Sequence, residues 1–322
     1  MYVELDDWLT IVEQDYLGYF ISHGGAAVKF PVVPSNDIAE RTRDELRRLA
    51  DKTNCQFVTL DAATTKIHMI DQAFHATAKQ IDWDALTSHF LRTVIADRGY
   101  KLPDHHGPIT YRQIAEFNGY EESEVRVEGR NALRHSIFRD FGMAQEFRIA
   151  MMRLCQAQLS PTEDEENMAM AIKLWLRGEL RLVSAVKPAL IFQKIVRHNA
   201  RDMFLSLAHW LRVVGKNGMV ISLDMSRYLS HQRPTDGTLY HTPNIVLDAY
   251  EVLRQFVDTT DELEACFIAV ITPPEFLQDP RRGLEKYAPL QTRVWNDVQD
   301  RHRANPLASL VRIQAANGRM SS

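Results

Sequence analysis

Five short apolar runs, set in a chain otherwise patterned for helices, constrain the fold more than any other feature. They are AAVKFPVV (26–33), CQFVTLD (55–61), GMVISLDM (218–225), CFIAVITPPEF (266–276) and ASLVRI (308–313). Runs of this length cross a sheet once, and helical pattern between them calls for right-handed parallel crossovers. The first sixty residues already read helix, strand, helix, strand. An amphipathic helix is expected over 6–23, with Leu9, Val12, Tyr16, Tyr19 and Phe20 at helical spacing and Gly24-Gly25 as its stop. After the first strand, PSND makes a tight connection, with Asp37 as N-cap and Glu40 three residues on, a capping-box pattern. The next helix, to about residue 52, carries Ile38, Leu46 and Leu49 on one face.

From about 68 to 215 the pattern is overwhelmingly helical. Segments such as 71–96, 138–159 and 199–215 carry apolar residues at three- and four-residue steps, and KLPDHHGP (101–108) and SPTEDEEN (160–167) interrupt as loops. A charged helix is expected over about 284–302. The expected organisation is an α/β core built from 1–79 and 216–322, with a mainly helical insertion over 80–215.

Composition excludes several classes. The net charge of −4 gives no global basic field for nucleic acid. Cys55, Cys155 and Cys266 are odd in number and far apart, which fits reduced thiols and no zinc site. The acidic start MYVELDDW is unlike a signal peptide, and no apolar run approaches the roughly 20 residues of a membrane span. A cytoplasmic protein without a membrane partner is expected.

A phosphate-binding loop needs G-x-x-x-x-G-K-S/T after the first strand, because its backbone N–H groups wrap phosphate and its Lys reaches the β/γ oxygens. Here that connection is VVPSNDIAE, with no glycine, no lysine and only a displaced Ser35. Gly24 and Gly25 precede the strand and read as a helix stop; Lys29 lies within it and reads as an edge or snorkelling residue. MVISLDM has the form of a Walker B strand ending in Asp224, but Met225 stands where the water-orienting glutamate belongs. Asp224 is open to two readings, a surviving metal-site residue or a residue that caps the next turn or pairs with Arg227. Thr272, at the end of the next strand, is where such ATPases place a polar sensor. Arg301 and Arg303 precede the last strand, the place of an arginine finger. Arg197, Arg201 and Arg212 form either a phosphate-contacting stripe or a solvated face, with Met203, Leu207 and Trp210 as core positions between them. His105-His106 reads as an exposed pair; no metal site, serine nucleophile or cysteine nucleophile is evident.

Together GGAAVKF, DAATTKIHMIDQAF, AKQIDW, EFRIAMMRLC, IVRHNARDMFLSLAHWLRVVG, VISLDMSRY, DAYEVLRQFVDTTDEL, VITPPEFL and RANPLASLVRI resemble the ATP-binding P-loop (AAA+-like) proteins of bacterial BREX phage-defence systems. The resemblance covers most of the chain. It implies a P-loop NTPase/AAA+-like core of five parallel strands, AAVKF lying between SLVRI and FIAVIT with MVISLD next outward. The chain stops soon after the last strand, so no C-terminal lid is expected. It also implies a part in antiviral defence, with other defence proteins as partners in a homo- or hetero-oligomer, DNA as a further partner, and Mg-ATP as the cofactor in question. This sequence departs from an active member at the phosphate loop and at Met225. The function expected is therefore a non-hydrolysing subunit, with Ser35, Asp224 and Thr272 as vestigial nucleotide contacts and no catalytic residue. The alternative is an active ATPase completed in trans by a partner, with Arg301 or Arg303 acting in trans. On either reading one of these arginines is expected at a subunit contact, and Arg197, Arg201 and Arg212 on nucleic acid or phosphate are compatible with both.

Overall fold

The structure, a computed structural model, describes residues 2–104, 107–295 and 305–314. The chain divides into two compact units, Met1–Ala73 with Lys216–Ser322, and Phe74–Gly215.

The first unit is built on a wholly parallel sheet. Its strands are β1 (Val3–Glu4), β2 (Ala26–Val32), β3 (Cys55–Asp61), β4 (Gly218–Asp224), β5 (Cys266–Ile271) and β6 (Leu310–Gln314), in the order β1-β6-β2-β5-β4-β3. The five apolar runs all become strands, as the sequence predicts, and β2 lies between β6 and β5 with β4 next outward, the order the resemblance implies. The expected count of five is corrected to six. Residues 3 and 4 add a short strand along β6, pairing Val3 with Ile313 and Glu4 with Gln314. Two residues directly before a helix leave no periodicity to read, yet they cover what would otherwise be an unpaired sheet edge. β4 and β5 are buried almost throughout, which is why they read as unbroken apolar runs, whereas the edge strand β3 alternates between buried and half-buried positions.

The helix Asn36–Lys52 packs on β3 and β4 through Ala39, Leu46, Leu49 and Ala50. Its N-cap is Ser35, not Asp37: the Ser35 hydroxyl accepts from the Ile38 N–H at 3.4 Å. Asp37 instead sits in the first turn, where its charge complements the helix dipole. On β2 the helix Pro243–Asp258 buries Val246, Ala249, Tyr250 and Leu253 and also packs on Ala288–Val294. The helix expected over 6–23 is α-helical only over Leu5–Ile11 and continues as a π-helix over Val12–Ile21. A Cβ on Gly18 would lie 2.9 Å from the Glu13 carbonyl five residues back, so the wider turn depends on a residue without a side chain. Gly24, at φ +97°, ends this segment as expected.

The second unit is helical: Trp83–Ala96, Tyr111–Asn118, Glu122–Leu133, Gln145–Leu159, Glu163–Leu176 and Ala200–Val213. Phe74, Trp83, Phe90, Phe147, Trp175, Phe204 and Trp210 are among its large buried side chains. Asp82 and Thr162 cap their helices, and Thr110 forms a full capping box with Gln113. The helix expected from 138 begins at Gln145; residues 134–138 form a π-turn and 139–144 a loop. Met203, Leu207 and Trp210 are core residues, as their spacing requires. Among the described residues, no helix is long and apolar enough to cross a membrane.

Candidate functional site

Open parallel sheets present ligands at the carboxyl ends of their strands, where the strand order reverses. In the first unit a cleft of about 680 Å³ lies there, lined by Asn36 and Arg43 of the helix Asn36–Lys52, Asp61 at the end of β3, Asp224 at the end of β4, and Arg227 and Glu275 beyond. Asp61 and Asp224 are register partners, so both carboxylates reach the cleft side by side.

Each carboxylate is already engaged. Asp61 Oδ1 accepts from the Ala63 N–H at 2.7 Å. Asp224 Oδ1 accepts from the Ser226 N–H at 2.9 Å, and its Oδ2 accepts from Arg43 Nη2 at 3.1 Å. Asp224 therefore caps the next turn, and its cationic partner is Arg43 rather than Arg227. Arg227 Nε is directed to the Leu239 carbonyl, at 2.7 Å. Arg43 was hidden in the charge run ERTRDELRR, which reads as a solvated face. The signal that finds it is spacing: it follows Ala39 by four and precedes Leu46 by three, on the buried stripe of its helix. Arg43 Nε and Arg227 Nη2 are buried and meet no acceptor among the described residues, so each guanidinium keeps one unpaired donor beside the cleft.

The connection from β2 to this helix is Val33-Pro34-Ser35. Val33 N–H is spent on the Thr272 carbonyl at 2.8 Å, Pro34 has no N–H, and the Ile38 and Ala39 N–H groups both go to Ser35. These donors are spent within the turn, and the connection holds no glycine and no lysine. Ser35 is its exposed cap. Thr272 is fully buried, and its hydroxyl faces the Pro31 carbonyl at 3.5 Å.

Lys29 is neither at an edge nor snorkelling. It lies on the interior strand β2, 7% exposed, donating to the Leu307 carbonyl at 2.6 Å beneath the Tyr16 ring. Burial lowers its pKa to about 8.

The segment that follows β4 and borders the cleft is fixed by Arg282, which is 2% exposed and donates to the Tyr228 and His241 carbonyls at 2.8 Å each. Nothing in DPRRG marks it as buried. Tyr228 stacks on His241, and its hydroxyl binds the N–H and the ring of His68, both at 2.9 Å. Asp279 accepts from the Arg281 and Arg282 N–H groups and from His231. Burial alone would raise the pKa of Asp279, but these hydrogen bonds outweigh it and hold the carboxyl below its usual range.

In the helical unit Arg197 is exposed just before the helix Ala200–Val213, and Arg201 and Arg212 are half-buried on it, each interacting with other groups. Arg301 and Arg303, and the pair His105-His106, lie outside the described residues. Among the described residues, no cluster of histidine, cysteine and carboxylate side chains has the form of a metal site.

The model of one protein family, BREX system ATP-binding protein BrxC/D, matches residues 118–318. The chain belongs to this family. The BrxC/D match takes in β4, β5 and the Asp224 side of the cleft, while β2, the 33–35 connection and Arg43 precede it. No curated protein and no solved structure matches the chain.

Proposed function

We propose that this BrxC/D-family chain is a non-hydrolysing, AAA+-like subunit of a BREX phage-defence assembly. The Arg43–Asp224 pair carries this reading. The carboxylate that would hold Mg²⁺ through its water shell is neutralised by a guanidinium and tied to its own turn. The glycine-free turn at 33–35 and Met225 point the same way. The strand order from β6 to β3 supports a P-loop-type core, in which the strand before the phosphate loop sits between the last strand and the sensor strand. On this reading the first unit is a scaffold that binds other BREX proteins, and Ser35, Asp224 and Thr272 are remnants of a nucleotide site.

The donors left on Arg43 and Arg227 favour a second reading, an active ATPase whose site is completed by a partner supplying the missing phosphate contacts. Arg301 or Arg303 would then act on a neighbouring subunit. Phosphate release from Mg-ATP, measured for the chain alone and with the other proteins of its locus, separates the two. The scaffold reading expects background rates in both; turnover appearing only in the mixture supports completion in trans. For either reading, light scattering behind size exclusion is expected to find an oligomer or a stable complex.

A further inference from the structure

The helical unit carries a surface that the nucleotide cleft does not explain. Two hollows of about 410 and 450 Å³ share Arg134 and Arg139 along their rims. Arg98 and His135 add to one, and Arg148 to the other, so five basic side chains line the pair with no carboxylate among them. In a chain of net charge −4 this is a local reversal of sign.

Aromatic rings stand in the same place. Phe141 is 83% exposed and Phe138 46%. The Arg148 guanidinium lies 4.8 Å from the centre of the Phe141 ring, and its Nη1 donates to the Phe138 carbonyl at 2.9 Å. Leaving a phenylalanine ring this open to water costs free energy unless something covers it. The loop that presents it is held from behind. Asp140 gives one oxygen to His209 at 2.9 Å and the other to the Gly142 N–H at 3.0 Å, so the acidic group in the loop is engaged. A Cβ on Gly142 would meet the His209 ring at 2.8 Å, which keeps the loop close to the helix Ala200–Val213.

Exposed rings interleaved with arginines are what single strands require. Unpaired bases stack on aromatic faces whatever their sequence, and guanidinium groups take the phosphates between them. We propose that this face binds single-stranded nucleic acid, with Phe141 and Phe138 stacking bases and Arg98, Arg134 and Arg139 contacting phosphates. It does not depend on whether the cleft of the other unit holds nucleotide.

The test is fluorescence anisotropy of the full chain with a labelled oligothymidylate of about 16 nucleotides and with a duplex of the same length, between about 50 and 200 mM salt. The single strand is expected to bind more tightly than the duplex. Phe141→Ala, at an exposed position, is expected to keep the wild-type melting curve and to weaken binding by roughly 5- to 150-fold, the range for one stacked base. Arg134→Ser/Arg139→Ser is expected to weaken binding and to flatten the log–log salt dependence by about 1.4, two phosphate contacts at about 0.7 each. Three results would overturn the proposal: no oligonucleotide binding at low salt, Phe141→Ala binding like wild type, or a duplex bound as well as the single strand. So would variants that keep the oligonucleotide but lose another BREX protein, which would make the face a protein-docking surface.

Discussion

Arg43 and Asp224 meet across the cleft with Nη2 and Oδ2 3.1 Å apart, their side chains 26% and 14% exposed. One comes from a helix that starts beside β2, the other from the end of β4, so the pair fastens the two walls where a nucleotide site would stand. A charge this far from water is costly without a partner.

Arg43→Met is therefore expected to destabilise the fold by about 2 kcal/mol, below the roughly 3–5 of a fully buried pair because both groups keep some solvent. Asp224→Asn retains an acceptor for the Ser226 N–H and is expected to cost less than Asp224→Ala, which loses cap and pair together. Urea unfolding measures both. An Arg43→Met variant as stable as wild type would mean that the pair is incidental.

Lys29 gives a test on the alkaline side. Its folded pKa of about 8 lies below the ordinary 10.5. Below pH 8 folded and unfolded chains both carry the proton and the burial penalty is complete; between about 8 and 10.5 only the unfolded chain holds it, so stability rises. The gain is at most about 3 kcal/mol. Burial pushes the thiols of Cys55, Cys155 and Cys266 up, so above about pH 9 the unfolded chain alone ionises them and they lower stability in wild type and variant alike. Denaturation between pH 7.5 and 10.5 is expected to show the stability of wild type rising relative to that of Lys29→Met, a comparison in which the thiols cancel; a constant difference would contradict it.

How much of this was open to sequence reading follows from what each feature leaves in the pattern. The runs 26–33, 218–225 and 266–276 lie inside the sheet, so burial on both faces made them continuous and legible. Strand β1 is two residues long, and the π-helix shares the apolar residues of an α-helix, so neither has a period of its own. At the site, Asp224 was legible because an apolar run ends on it. Arg43 and Arg282 were not, because arginines in charged segments normally point to water, and only tertiary packing turns these two inward.

Arg282 tests whether the wall of the cleft depends on that inward turn. Arg282→Met would leave the Tyr228 and His241 carbonyls without their donor, at about 1–3 kcal/mol for each group left unsatisfied. Arg282→Lys, a point charge without the fork, is expected to recover only part of this. Equal melting temperatures for wild type and Arg282→Met would contradict the role.

On the acid side, Glu251 accepts both arms of Arg254, at 2.6 and 2.7 Å, and the Tyr287 hydroxyl. The Arg254 hydrogen bonds lead in lowering its pKa to about 2, from 4.5. Its contribution is present above pH 4.5 and lost as pH falls through 2. With the side chain 27% exposed, about 1–2 kcal/mol is expected after screening. Glu251→Gln is expected to flatten the stability profile between pH 4.5 and 2; an unchanged slope would place the acid sensitivity elsewhere.

We propose that this cleft, with Asp224 held by Arg43, does not hydrolyse ATP. Phosphate release from saturating Mg-ATP, compared between the purified chain and Asp224→Ala, tests it most directly. The account predicts a background rate that the substitution leaves unchanged. Robust turnover by the wild-type chain, abolished in Asp224→Ala, would contradict it.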